Sequence, residues 1–189
     1  ISSFIICLYT NSNDKLMKKS DIDNKEYQTI NQLIHEITNE DQDFYRINTN
    51  LNEEKYINKI DNISTRKTTI YSSTSNQNYI NTYNNLLNNP IPNRNKFMIS
   101  PSPNPLSQII LGEKYIITKQ KLTLGYKLIK TKNGINLYEN TNSLPLGYAT
   151  NNTISLDEFK KLIYPNNTIQ LLTNIVINNK EKRNISTLN

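Results

Sequence analysis

The sequence has little of what most catalytic and metal-binding chemistry needs. It contains one cysteine, one histidine, four glycines and no tryptophan. With Cys7 alone there is no intrachain disulfide framework and no cysteine-based metal site. Its apolar surroundings also argue against a reactive thiol. His35 stands next to Ile34 and two residues from Ile37 in a helical pattern, which suits a helix surface better than a catalytic base. A Ser–His–Asp triad would have to use His35, and no motif supports one. The glycines lie too far apart for a phosphate loop. The sequence therefore predicts no metal, no cofactor and no catalytic residue of its own.

Asparagine is abundant, with isoleucine, lysine and tyrosine also high. Codon bias in an AT-rich genome accounts for that mixture. The asparagines interleave with periodic Ile, Leu and Tyr, so the chain reads as folded rather than as a polar low-complexity tract. The length predicts one domain burying about 70% of its extended-chain surface, spanning 21–178. A juxtamembrane or linker segment at 1–20 and a solvated tail at 179–189 would flank it. The formal charge is +6, but it is scattered. Its tightest clusters are Lys18-Lys19, Arg66-Lys67 and Lys180–Arg183, and none forms a nucleic-acid-binding helix or an aromatic–basic platform. A solvated surface is expected, with no nucleic-acid partner. Ile1–Tyr9 is apolar but too short for a bilayer span, which takes about 20 residues. It suits a core strand or the outer end of a truncated transmembrane helix.

The chain is organised around Leu111–Tyr148. Glu113–Lys119 has Tyr115, Ile116 and Ile117 in succession, the pattern of a central strand covered on both faces. Tyr126–Lys130 and Ile135–Glu139 alternate, and Asn133-Gly134 between them can supply the two positive φ angles of a type I′ turn. A hairpin over 126–139, paired with Glu113–Lys119 and burying Leu128, Ile135 and Leu137, is the expectation. Leu144-Pro145-Leu146-Gly147 should lead into another short strand.

Around this core, helical spacing predicts a helix near Asn24–Thr38 capped by Asp23 or Asn24. A second helix, Tyr79–Leu87, would be capped by Ser75 or Asn76 and would cover one sheet face. Leu51–Ile63 suggests a weak helix, and Asp43–Ile47 a strand. Thr68–Asn76 is β-like in front, and its Ser/Thr run then favours a turn. Five prolines fall in Pro90–Pro105, and Asn104-Pro105 fits an N-cap followed by proline at the first helical position. Ser155–Glu158 is a capping box whose helix carries Leu156, Phe159, Leu162 and Ile163. Thr168–Ile177 fits strand or helix. The fold class is α+β: a mixed or antiparallel sheet containing the hairpin, flanked by short helices.

Several segments in one order carry a resemblance. They are Asp43–Ile47 (DFYRI), Tyr71–Asn76 (YSSTSN) opening a Tyr/Leu helix, Ser107–Lys119 (SQIILGEKYIITK) and Gly134–Tyr148 (GINLYENTNSLPLGY), followed by a capped helix. Together, over roughly Asp41–Tyr164, the chain resembles the extracytoplasmic soluble region of the YfhO family of bacterial multi-pass membrane proteins. It departs at Glu113, where the family usually has a small apolar residue. The resemblance implies a membrane glycosyltransferase of GT-C architecture. Such an enzyme moves sugar from a polyprenyl-phosphate donor to a cell-envelope polymer, teichoic-acid-like in Gram-positive bacteria. Its catalytic acid would lie in a membrane-proximal loop absent from this chain. The implied location is the extracytoplasmic face of the cell membrane, and the implied partners are the membrane portion of the parent chain and an anionic envelope polymer.

Candidate ligand-binding residues follow from chemistry. Tyr71, Ser72, Ser73 and Asn76 offer a ring, hydroxyls and an amide to a sugar, although a turn with a helix cap is the simpler explanation. Arg46, preceded by Phe44 and Tyr45, could bind a phosphate of donor or acceptor or form a sheet-surface ion pair. Tyr138 and Asn140 could line a groove or simply end the hairpin. Asp157 and Glu158 diverge on a helix and suit capping, not acid–base work. An independent surface module that binds wall polymer or a protein is the alternative to an acceptor-orienting domain.

Overall fold

Helix α1 (Lys25–Glu40) forms where apolar residues recur every three or four positions, so Ile30, Leu33, Ile34 and Ile37 make one buried stripe. Asn24 caps it, accepting from the Tyr27 amide at 2.9 Å. The computed structural model describes residues 20, 24–51, 65–68, 70–71, 76–82, 87, 97–98, 104–147 and 149–178. The run Ile1–Tyr9, the segment Asn11–Lys19, nearly all of Leu51–Ile63, the Ser72–Ser75 turn, most of 83–103 and the tail after Asn178 lie outside the described residues.

After α1 come β1 (Arg46–Asn50), β2 (Ile70–Tyr71), α2 (Gln77–Asn81), β3 (Phe97–Met98) and α3 (Pro105–Ile110). Then follow β4 (Glu113–Thr118), β5 (Tyr126–Lys132), β6 (Ile135–Asn140), β7 (Thr153–Ser155), α4 (Leu156–Phe159), α5 (Asn166–Thr173) and β8 (Ile175–Ile177). The main sheet has the order β1-β4-β6-β5. β1 runs parallel to β4, and the other pairs are antiparallel. β2–β3 and β7–β8 form two separate pairs. The fold is α+β.

The hairpin forms as its sequence predicts, with Asn133 at φ 50° and Gly134 at φ 76°. Its tip is fastened to α1 by the Asn133 amide, which donates to the Thr29 hydroxyl at 2.9 Å. β6 pairs directly with β4. α1 packs on one face of this sheet against Tyr45, Ile47, Tyr115, Ile117, Ile135 and Leu137. Full burial of each aliphatic side chain contributes about 1.5–3 kcal/mol.

Three expectations need correction. Leu128 is 51% exposed, not buried. Its strand is the sheet edge, and an irregularity between Leu128 and Lys130 breaks the alternation that would have turned it inward. Helix α1 covers one sheet face. Of the expected Tyr79–Leu87 helix only the start is described, as α2 over Gln77–Asn81, which lines a cavity with α4 residues, and its cover of a sheet face lies outside the described residues. β1 begins at Arg46 rather than Asp43, because Asp41 closes α1 through its amide to the Ile37 carbonyl. α4 stops at Phe159, where Lys161 and Leu162 tighten into i→i+3 bonds to Glu158 and Phe159. Thr168–Ile177 resolves into most of α5 and then β8, and the strand after Gly147 begins only at Thr153.

Candidate functional site

The turn between α1 and β1 and the start of β4 build an open groove of about 670 Å³. Asp43, Phe44, Tyr45 and Lys114 form one side, and the loop around Leu144 and Leu146 forms the other. Gly112 holds that loop close. It sits at φ +66°, and an added Cβ would meet Leu146 Cδ2 at 2.5 Å. Phe44 is 61% exposed, and the Arg66 guanidinium stands over its ring at 3.8 Å from the centroid. Lys114 Nζ lies 2.6 Å from Asp41 and 3.3 Å from Asp43.

Beneath these groups the chemistry is pinned. Tyr45 and Tyr115 meet edge to face at 5.0 Å. The Tyr115 hydroxyl donates to Asp41 Oδ2 at 2.7 Å, and Tyr45 donates to the Asp41 carbonyl. Burial raises both phenols, with the charge of Asp41 adding to it, so both remain donors at neutral pH. Burial alone would raise Asp41, but hydrogen bonds from Lys114 and Tyr115 outweigh it and hold the carboxyl below its ordinary range. Burial likewise opposes the charge on Lys114, yet bonding to Asp41 and Asp43 carries its ammonium above the usual value. Two carboxylates therefore balance Lys114 and Arg66. An exposed ring beside matched donors and acceptors can hold a polyol or sugar, with C–H groups on Phe44 and hydroxyls on Asp43 and Lys114.

A second polar cluster lies inside the sheet. Glu113 is fully buried. Its carboxylate accepts from the Asn48 amide at 2.7 Å and from the Thr68 hydroxyl at 2.5 Å. Simple alternation would put Glu113 on the Tyr115 side. The register shift opposite Arg46/Ile47 turns it toward Asn48 instead. Asn140 donates to the Glu113 carbonyl at 3.2 Å, and its cross-strand partner Tyr126 donates to Gln108 Oε1. Burial pushes the Tyr126 hydroxyl up to about 12, helped by the charge of Glu113.

The sequence-predicted residues fall on different elements. The Arg46 guanidinium donates to the Leu111 carbonyl and its amide to the Gly112 carbonyl, so Arg46 clasps the turn between α3 and β4. Tyr71 pairs with Phe97 in the β2–β3 pair, a different sheet from that of Arg46. Ser72 and Ser73 lie outside the described residues. Asn76 is exposed and accepts from the Asn78 amide at 2.9 Å, at the start of α2. Tyr138 and Asn140 share one side of β6, and both are buried. Sequence reasoning passed over Phe44 with Arg66, and Lys114 with its two aspartates. The one available signal was the dense DQDFY run, since Arg66 arrives from a distant segment. It also missed the burial of Glu113.

Among the described residues no group of three or more His, Cys, Asp or Glu is placed to hold a metal. No helix of the described residues is long and apolar enough to cross a membrane. No curated protein and no solved structure matches the chain significantly. The family model described as "Bacterial membrane protein YfhO" matches residues 1–189, and the chain belongs to that family of bacterial membrane proteins.

Proposed function

We propose that this chain is the extracytoplasmic soluble domain of a membrane glycosyltransferase of GT-C architecture. In this reading it orients a cell-envelope acceptor of teichoic-acid type and leaves the transfer to the membrane portion of its parent. Family membership supports the membrane setting. The observation that carries the binding role is the exposed Phe44 ring under Arg66, at the wall of a groove holding Asp43 and Lys114. Because the charges of Asp41 and Asp43 offset those of Lys114 and Arg66, the groove takes the sugar or polyol part of the polymer rather than its phosphate.

The test uses the full-length parent in membranes, with polyprenyl-phosphate sugar as donor. Phe44→Ala should raise the acceptor KM about tenfold, equivalent to about 1.4 kcal/mol, and leave kcat at saturation unchanged. The isolated 189-residue chain should transfer no sugar. Transfer by the isolated chain, or an unchanged acceptor KM in the variant, would defeat the reading.

A further inference from the structure

We propose that the Lys119–Lys132 segment, the turn after β4 together with edge strand β5, is a second functional surface that docks on an anionic phospholipid bilayer. It goes beyond the acceptor groove and does not depend on what that groove binds. Three observations carry it.

The first is charge. The segment contains Lys119, Lys121, Lys127, Lys130 and Lys132 and no acidic residue. Glu26 pairs with Lys119, and Glu36 is shared by Lys130 and Lys132. Among the described residues neither Lys121 nor Lys127 stands within ion-pairing distance of a carboxylate; Glu139 faces Lys127 across the strands, and five lysines against Glu26, Glu36 and Glu139 still leave a net positive surface. The second is the placement of apolar groups. Leu124 is 91% exposed, and Leu128 and Ile129 are 51% and 46% exposed. Apolar side chains between lysines are the composition of an interfacial contact, in which the aliphatic groups enter the headgroup boundary and the ammonium groups meet lipid phosphate.

The third is that the turn presenting Leu124 is built. Tyr126 N donates to the Thr123 carbonyl and Thr141 N to the Gly125 carbonyl, both at 3.0 Å. Gly125 sits at φ +80°, and a Cβ there would meet Asn142 Nδ2 at 2.7 Å. Leu124 is therefore held outward by a fixed backbone. Addition of a protein strand to this edge is the competing use of such a surface. The bulge at Leu128/Lys130 and the lysines along β5 oppose it, being the features that keep sheet edges unpaired.

The chain has no tryptophan, so Leu124→Trp places a single reporter at the turn. With vesicles of equimolar phosphatidylglycerol and phosphatidylcholine its emission should shift to the blue, and brominated lipid should quench it. Pure phosphatidylcholine vesicles should give neither response. In flotation assays the Lys121→Gln/Lys127→Gln variant should bind the anionic vesicles about 25-fold more weakly than wild type, about fivefold for each lysine. Binding should also fall as salt shortens the Debye length. An unshifted Leu124→Trp emission would overturn the proposal. So would equal binding to both vesicle types, or equal binding by the lysine variant, since an apolar segment elsewhere in the chain would then be the contact.

Discussion

Glu113 and Lys114 are neighbours in sequence, yet they sit in opposite kinds of polar cluster. The Glu113 carboxylate is sealed inside the sheet, and each oxygen accepts from a fixed donor, Asn48 or Thr68. Lys114 faces the groove, bound to Asp41 and Asp43 but partly open to water beside the exposed Phe44. A polar group that must be satisfied from within costs stability when its partner is removed, whereas one at the surface is screened and worth little. The first cluster should therefore govern folding, and the second recognition.

The largest expected effect lies in the buried cluster. Glu113→Val should destabilise by about 1–3 kcal/mol for each donor deprived of its acceptor, read as a fall in urea midpoint. Combining it with Asn48→Val and Thr68→Val should recover part of that loss, because the two donors are then no longer left buried without Glu113 as acceptor. A triple variant no more stable than Glu113→Val alone would show that the network does more than satisfy itself.

Next comes the hinge between the clusters. Gly112→Ala should lower stability by about 1–2 kcal/mol, from the left-handed backbone and the contact with Leu146. It should also disturb acceptor binding, since the Leu144–Leu146 loop must move. Loss of stability with an unaltered groove would separate the two clusters further.

The surface cluster should show itself through pH. Asp41 is lowered from its ordinary 3.8, so the stability it contributes is present above that value and is lost as pH falls through its folded-state pKa. Lys114 is raised from 10.5, so its contribution is full below that value and fades as pH rises through its folded-state pKa. Thermal midpoints should stay level from about pH 5 to about pH 9 and fall outside that range. Asp41→Asn should flatten the acid limb selectively. An unchanged acid limb would place the titration elsewhere.

Much of the fold was legible because it depends on neighbours in sequence. Asn104-Pro105, Asn133-Gly134 and Ser155–Glu158 each act over two to four residues, and the cap, turn and capping box form as written. Tyr115-Ile116-Ile117 announces a strand covered on both faces, and that strand lies second in the sheet. What escaped depends on register and distant segments. A bulge exposes Leu128, and a register shift turns Glu113 inward. The parallel pairing of β1 with β4 brings Asn48 to Glu113. Arg66 reaches Phe44 because its carbonyl accepts from the Ile47 amide beside β1. None of these follows from a local pattern.

The smallest stability effect belongs to the residue with the largest proposed role, and one paired measurement tests that most directly. Sugar-bearing glycerol-phosphate oligomers would be titrated calorimetrically into the wild-type chain and into Phe44→Ala, with urea unfolding of both proteins alongside. The predicted result is an affinity at least about tenfold weaker in the variant with unfolding free energy changed by less than about 0.5 kcal/mol, as for other exposed positions. Equal affinity in the two proteins, or no binding by wild type, would contradict the assignment of the Phe44 groove as the recognition surface.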